Sequence, residues 1–272
     1  MEHLLAAWPH IAHKIKDANH VLLLSDYDGT LTPIVEHPEQ ANLSPEMKQL
    51  IQDLACQRHF TVGIISGRAL ADLQNKVGIS GIIYAGNHGF EIVGPGVNFV
   101  NPLAEEMRPL LRIIQQVLTV TLGGIKGIFI ENKGLTLSVH YRKVEKNEEK
   151  HVARLLDNTM GNMEDMGKIK ISNGKKVYEI KPDVKWDKGK AIKLLMKKYG
   201  KGGRHSSLLP IYLGDDTTDE DGFNVINKYQ QGISVFVGEE KQNSVAQYYL
   251  KSPAEVATYL SMLLKQVRRG LK

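Results

Sequence analysis

An α/β fold is predicted for this chain, a parallel sheet with helices on both faces and a second, α+β module inserted into it. Three observations carry that prediction. Val21-Leu22-Leu23-Leu24 is an unbroken apolar run, the pattern of a strand buried on both faces at the centre of a parallel sheet. Strand and helix patterns alternate around it, which implies parallel pairs joined by helical crossovers. Between residues 106 and 182 the order becomes helix, hairpin, helix, hairpin, and then strand and helix alternate again. The main domain is therefore expected over 1–105 and 183–272, with the insertion over 106–182.

The 272 residues are enough for a sizeable core and for two domains. With 42% hydrophobic and 24% charged residues, the composition is that of an ordinary globular protein and excludes extensive disorder. No run approaches the roughly 18 apolar residues of a membrane span. The start, Met1-Glu2-His3-Leu4-Leu5-Ala6-Ala7-Trp8-Pro9, is too short and too acidic for a secretory signal. The single cysteine, Cys56, excludes an internal disulfide and fits a reducing compartment, so a cytoplasmic protein is expected. Cys56 falls in a helical pattern and is expected to be a buried structural thiol. The net charge of +5 is spread along the chain without an aromatic-interleaved basic patch. That argues against a nucleic-acid partner and suits an enzyme with an anionic substrate.

Residues 2–18 carry apolar positions at helical spacing and predict a leading helix. After the apolar strand, Asp26 and Asp28 stand two residues apart, followed by Gly29 and Thr30. Positions i and i+2 of an extended segment point the same way, so both carboxylates can address one site at the carboxyl end of a central strand. Such a pair alone is an acidic turn. Held close, however, two carboxylates repel one another and invite a divalent cation. An ionised aspartate can attack phosphorus, and the second carboxyl can supply or take a proton.

Ser44-Pro45-Glu46 supplies an N-cap and a proline at the first helical position, for a helix to about Gln57. Phe60 to Ile65 is a second buried strand, and Ser66-Gly67-Arg68 follows it where another helix begins. A hydroxyl, an amide freed by glycine and a helix start together suit a phosphoryl oxygen, although a plain N-cap with a surface arginine has the same residues. Ile82 to Ala85 is a third strand, closed by the turn residues Gly86-Asn87-His88-Gly89. Gly94-Pro95-Gly96 then tips a hairpin that ends at Val100.

Glu105 to Leu118 reads as an amphipathic helix with Met107, Leu110, Leu111, Ile114 and Leu118 on one face. Ile128–Glu131 and Leu135–Arg142 alternate about Asn132-Lys133-Gly134, a hairpin with one polar face. A helix over Glu148–Met160 follows, then a second hairpin, Lys168–Ser172 and Lys176–Ile180, around Asn173-Gly174. Asp187-Lys188-Gly189-Lys190-Ala191 opens a helix that runs to Tyr199. Pro210 to Leu213 is a further buried strand, and five carboxylates lie within the seven positions Asp215 to Asp221. Glu220 and Asp221 suit the dipole of a helix start, which leaves Asp215 and Asp216 without that explanation. Their hard oxygen donors suit Mg²⁺. Ile233–Val237 gives a last strand and Ser252–Leu264 a closing helix.

In order, Asp26-x-Asp28-Gly29-Thr30-Leu31, Ser66-Gly67-Arg68, a lysine and Gly214-Asp215-Asp216 resemble the motifs of the haloacid dehalogenase superfamily of phosphotransferases, and they span nearly the whole chain. Gly86-Asn87-His88-Gly89, Glu131-Asn132-Lys133-Gly134, Val139-His140-Tyr141-Arg142, Tyr178-Glu179-Ile180-Lys181-Pro182 and Gly214-Asp215-Asp216-Thr217-Thr218-Asp219-Glu220 resemble the trehalose-6-phosphate phosphatase family more narrowly. The resemblance implies a haloacid dehalogenase-like Rossmannoid core with an inserted C2-type α+β cap. It also implies a Mg²⁺-dependent phosphoric monoester hydrolase of trehalose biosynthesis, which splits trehalose 6-phosphate into trehalose and inorganic phosphate.

In that mechanism Asp26 is the nucleophile and Asp28 the acid and base. Lys188, with Lys190 as the fallback, pairs with the nucleophile. Thr30, Ser66, Gly67 and Arg68 would hold the phosphoryl group. Asp26, the Asp28 carbonyl and Asp215 would hold Mg²⁺, with Asp216 a further ligand and Asp219 behind it. Sugar hydroxyls would meet Glu131, Lys133, His140, Arg142 and Glu179 of the cap, with Asn87 and His88 from the hinge side. The expected partner is a small-molecule sugar phosphate, with no nucleic acid and no membrane. A monomer is expected, and association with a trehalose-phosphate synthase stays open.

Two other readings stay open on the residues alone. One is another capped sugar phosphatase or a phosphohexomutase of the same superfamily, which release of inorganic phosphate instead of isomerised sugar would separate. The other is a non-enzymatic phosphate-sensing module that keeps its phosphoryl group on Asp26. Asp28 argues against it, because such a module has no need of an acid at the leaving group.

Overall fold

The structure, a computed structural model, describes residues 1–35, 37–174, 176–200, 208–229, 231–239 and 243–270, the side chains of 162, 269 and 270 excepted. The chain divides into two compact units, Met1–Asn98 with Trp186–Lys272, and Phe99–Lys185. The crossings fall at 98/99 and 185/186, where the sequence predicts 105/106 and 182/183.

The first unit begins with β1 (Glu2–His3), α1 (Trp8–Asp17), β2 (His20–Ser25), α2 (Pro45–Ala55), β3 (Phe60–Ile65), α3 (Leu70–Val77), β4 (Ile83–Gly86) and β5 (Glu91–Gly94), and β6 (Val97–Val100) carries the chain across the first crossing. The second unit contains α4 (Pro102–Glu106), α5 (Arg108–Leu122), β7 (Phe129–Asn132), β8 (Leu137–His140), α6 (Glu149–Asp165), β9 (Ile169–Asn173) and β10 (Val177–Pro182). The chain returns to the first unit with α7 (Lys188–Tyr199), β11 (Leu208–Gly214), α8 (Glu220–Asn227), β12 (Ile233–Val237), β13 (Tyr248–Leu250) and α9 (Pro253–Gly270).

Among the described residues the strands of the first unit run in the order β1-β13-β12-β11-β2-β3-β4-β5-β6. The pairs from β1 to β4 are parallel, and β5 returns antiparallel to β4. On β2, Leu23 lies opposite Ile211 on one side and Val62 on the other. The chain leaves β2 towards β3 and comes back to β11 on the opposite side. The strand order therefore reverses at β2, the place where open α/β sheets bind ligands at their carboxyl ends.

Alternation along β2 explains why the apolar run is needed. Val21 and Leu23 join the cluster built with Ile11 and Ile15 of α1, Met47, Ile51 and Leu54 of α2, and Val256 and Leu260 of α9. Leu22 and Leu24, also buried, turn to the face covered by α7. Truncating a side chain such as Leu23 to alanine costs about 2–5 kcal/mol. Helix α2 starts where its sequence says, with Ser44 Oγ accepting from the Met47 amide at 3.1 Å and Pro45 in the first turn.

Four local expectations are corrected. Residues 2–3 are a strand on Tyr248 and Tyr249, and the leading helix begins only at Trp8. Periodicity cannot report a pairing with the far end of the chain. Cys56 is exposed, because α2 ends at Ala55 and the thiol sits on the residue leaving the helix. The helix expected over Glu105–Leu118 is two helices meeting at Met107. Pro109 has no amide hydrogen, and its ring opposes the carbonyl a turn earlier. Finally, α9 continues past Leu264 to Gly270, with Arg268 paired to Asp53 of α2 at 2.8 Å.

The second unit is a four-stranded antiparallel sheet, β7-β8-β10-β9, with α5 and α6 packed on it. Leu111, Ile114, Leu118 and Leu122 of α5 and Val152, Leu156 and Met160 of α6 bury against Leu137, Val139, Ile169 and Ile180. In register, Glu131 lies opposite Ser138, Ser138 opposite Glu179, and Phe129 opposite His140. These residues alternate with those packed against the helices, so they line the other face of the sheet. Among the described residues no helix is long and apolar enough to cross a membrane.

Candidate active site

The carboxyl ends of β2, β3 and β11 bring the sequence-predicted residues of the first unit together. Asp26 leaves β2 with its amide donating to the Leu213 carbonyl of β11 at 2.8 Å. Its side chain is 7% exposed. Gly29 has a φ of +85°, and a Cβ there would lie 2.1 Å from Asp215 Oδ2. Only glycine therefore lets the turn after the two aspartates pass beneath the Asp215 carboxylate that follows β11.

Lys188, the first residue of α7, reaches into this site from the other face of the sheet. Its Nζ donates to Asp26 Oδ1 and to Asp219 Oδ1, each at 2.7 Å, and the side chain is 3% exposed. Burial works against its charge, but Asp219 and Asp26 outweigh it and the ammonium pKa is raised well above the ordinary lysine range. Burial also pushes the Asp26 carboxyl well up; Lys188 opposes this, while Asp219, Asp215 and Asp216 add to it. One ammonium clasped between two carboxylates is the contact of a charged lysine, and this is the arrangement the geometry supports.

Asp219 is the hub of the acidic stretch. It is fully buried. Besides Lys188, the Tyr212 hydroxyl donates to its Oδ1, and the amides of Asp215 and Asp216 donate to its Oδ2 at 3.0 and 3.1 Å. Gly214 makes this possible, since a Cβ there would lie 2.3 Å from Asp219 Cγ. Asp216 takes the complementary role in a capping box, accepting from the Thr218 amide and hydroxyl at 2.8 and 2.7 Å. Although burial acts against it, Lys188 and these bonds hold Asp216 below the usual carboxylate range.

Asp215 remains directed at Asp26. Burial first, then Asp219 and Asp216, push its carboxyl up to about 7 against the influence of Lys188 and Thr30. Thr30, fully buried, donates to Asp215 Oδ1 at 3.3 Å. Asp26, Asp215 and Asp219 each offer an oxygen within 4.8 Å of the others. An all-oxygen donor set under mutual repulsion fits a hard divalent cation. The side chain of Asp216, expected as a further ligand, lies outside this group of three, and the Asp28 backbone carbonyl is a donor of another kind.

Arg68 and Asp28 form a pair of their own. Arg68 also donates to Asp72 Oδ2 and the Pro38 carbonyl, both at 2.8 Å, and covers the Tyr27 ring. Its guanidinium, expected at a phosphoryl group, is thus occupied by carboxylates. Ser66 is 1% exposed, and its Oγ accepts from the Arg68 amide at 3.2 Å. The turn after β4 is stitched to this segment. The Asn87 amide donates to the Arg68 carbonyl and the His88 amide to the Ser66 carbonyl, at 2.8 and 2.9 Å. Asn87 and His88 both have positive φ, 51° and 56°, and a Cβ on Gly67 would lie 2.7 Å from the His88 ring. Asn87 is buried and donates to Glu91 at 2.9 Å.

The residues expected at the sugar lie in the second unit. Glu131 and His140 are hydrogen-bonded at 2.9 Å, and Lys133 donates to Glu179 at 3.2 Å. Arg142 is exposed, two residues beyond the end of β8. Two participants escape the sequence reading. Tyr212 sits in an apolar strand, where the signal was a buried phenol in need of a partner. Asp72 stands one helical turn after Arg68, an i,i+4 ion-pair spacing.

A family model described as trehalose-phosphatase matches residues 24–254. Trehalose 6-phosphate phosphatase RA3 of Zea mays is 37% identical over 256 residues, covering 89% of this chain and 69% of that protein. Among solved structures, the C-terminal domain of C. albicans trehalose-6-phosphate phosphatase superposes with a TM-score of 0.80 at 25% identity, over 94% of this chain and 96% of that one. A haloacid dehalogenase-like hydrolase from Bacteroides thetaiotaomicron shares the fold, with a TM-score of 0.60 at 16% identity over 90% of this chain and 99% of that one.

Proposed function

The chain belongs to the trehalose-phosphatase family, and from that premise we propose that it is a phosphoric monoester hydrolase that releases inorganic phosphate from trehalose 6-phosphate. The observation that carries the reading is Lys188 clasped between Asp26 and Asp219, with Asp215 alongside, at the carboxyl ends of β2 and β11.

Asp26 attacks phosphorus, its oxygen forming a bond as the bond to the sugar oxygen breaks. Asp28 would carry a proton for this step, with one of its oxygens released from the Arg68 fork, and give it to that departing oxygen. The resulting aspartyl-phosphate is then attacked by water, which Asp28 deprotonates, and phosphate leaves with Asp26 restored. Lys188 keeps Asp26 in place and offsets the negative charge that gathers at the phosphoryl group. Ser66 and the Gly67 amide lie at the neighbouring strand end, where they would hold phosphoryl oxygens. Asp26, the Asp28 carbonyl and Asp215 would hold Mg²⁺, and Asp219 orients them from behind through Lys188 and the Asp215 amide. When bound, the cation would neutralise charge on the phosphoryl oxygens and lower the repulsion among these carboxylates.

The sugar is assigned to the face of the second unit's sheet opposite its helices, with Glu131, Lys133 and Glu179 hydrogen-bonding its hydroxyls. The reading is tested by phosphate release with Mg²⁺ from trehalose 6-phosphate, sucrose 6-phosphate, glucose 6-phosphate and an aryl phosphate. A strong preference for trehalose 6-phosphate supports it. Metal-dependent release with another preference would keep the chemistry and reject the substrate.

A further inference from the structure

Phe129 is a large aromatic on β7 that the fold does not bury. Its side chain is 61% exposed, while its neighbour Ile130 turns to the helical side and packs. A single exposed ring is ordinary on a protein surface, so what its neighbours do decides whether it has a use. Phe129 is not isolated. It stacks on His140 across the strand pair, with ring centroids 5.6 Å apart and 29° between planes. His140 is in turn hydrogen-bonded to Glu131, two residues along β7 on the same face.

A second observation points to a ligand on this face. Ser138 lies between Glu131 and Glu179 in register, fully buried. Its hydroxyl has no hydrogen-bond partner among the described residues. An unmet hydroxyl between two carboxylates, beside an exposed phenyl ring backed by a half-buried imidazole, is a surface prepared for a molecule with both hydroxyls and apolar C–H groups. A pyranose ring has both: its axial hydrogens present an apolar patch and its rim presents hydroxyls.

We infer that Phe129, backed by His140, is the apolar platform on which a pyranose ring of the substrate rests while Glu131, Ser138 and Glu179 take its hydroxyls. The inference rests on the reading that the second unit recognises the sugar. Phe129 is then a specificity residue that acts in binding the sugar. His140 acts through its neighbours, holding the Phe129 ring and the Glu131 carboxylate in one arrangement.

The experiment compares wild-type protein with Phe129→Ala and Phe129→Leu on trehalose 6-phosphate and on an aryl phosphate. It adds a titration of Phe129→Trp with trehalose, followed by indole emission against the wild-type background. Loss of one aromatic contact should raise KM for trehalose 6-phosphate about three- to tenfold in Phe129→Ala, with kcat within about twofold. Phe129→Leu, which keeps apolar area but not the ring, should fall between. Aryl phosphate turnover should be unchanged, and emission of Phe129→Trp should change saturably with trehalose. An unchanged KM with no emission change would overturn the inference, as would equal losses on both substrates. An unchanged KM with loss of self-association would instead place Phe129 between copies of the chain. If wild-type protein does not hydrolyse trehalose 6-phosphate, the functional reading fails, and emission titrations with trehalose and other sugars still decide the role of Phe129.

Discussion

Arg68 holds Asp28 with both arms of its fork, Nε 2.7 Å from Oδ2 and Nη2 2.6 Å from Oδ1. The arginine is itself fixed by Asp72, by the Pro38 carbonyl and by the Tyr27 ring. The carboxylate assigned to proton transfer is therefore positioned by the residue that the sequence would place on the phosphoryl group.

Arg68→Ala should lower kcat on trehalose 6-phosphate by about 10²-fold, in line with the loss of a positioned acid–base group. Arg68→Lys should recover little of it, because an ammonium cannot reproduce the planar fork. Steady-state kinetics on the two single variants with Asp28→Asn and the double variant check this. In the Asp28→Asn background the arginine change should add almost nothing. Additive losses would put Arg68 on the phosphoryl group instead.

Removing Lys188 leaves Asp26 and Asp219 buried without their cation. Lys188→Ala should lose about 3–5 kcal/mol of stability at neutral pH, read from urea unfolding. Since its pKa is raised in the folded state, the contribution of Lys188 is complete below the ordinary lysine value of 10.5 and fades only as pH rises through the raised one. Wild-type protein should therefore show no Lys188-linked loss across neutral pH. The deficit of the variant should shrink in acid, where buried carboxylates left without their cation are relieved by taking up protons.

Asp215 gives a metal test with a defined sign. Its carboxyl is raised to about 7 from 3.8, so without metal its contribution to stability is present below 3.8 and is lost as pH rises through about 7. Above that range the crowded carboxylates are ionised and a cation relieves them. Mg²⁺ should raise the melting temperature more at about pH 8 than at about pH 5, and a chelator should reverse it. A shift independent of pH would remove Asp215 from the metal site.

In the second unit, Glu131→Ala and Glu179→Ala each break a contact, with His140 and with Lys133. Turnover of trehalose 6-phosphate should fall at least about tenfold while an aryl phosphate is affected much less, the expectation for residues that touch only the sugar. Equal losses on both substrates would assign these residues to the fold.

Much of this was legible in the chain. The apolar run Val21–Leu24 marks the central strand because both faces of a parallel sheet are buried, and Asn173-Gly174 marks the β9–β10 hairpin, although Asn173 ends the strand and the positive φ falls on Lys176. Motif order places Asp26, Ser66 and Asp215 at neighbouring strand ends, since each follows its own apolar run. What was not legible depends on partners distant in sequence. The pairing of β1 with β13, the fork of Arg68 on Asp28 and the gathering of Lys188, Tyr212 and two amides on Asp219 leave no local signal. Acidic composition could say that the Asp215–Asp221 stretch needs donors, but not that Asp219 would receive most of them.

The most direct test of the account is an acid quench of protein turning over phosphate-labelled trehalose 6-phosphate, followed by mapping of the label. The account predicts an acid-stable, base-labile phosphoryl group on Asp26, absent from Asp26→Asn, which should also release no phosphate. Phosphate release that persists in Asp26→Asn, with no labelled protein at any quench time, would contradict it.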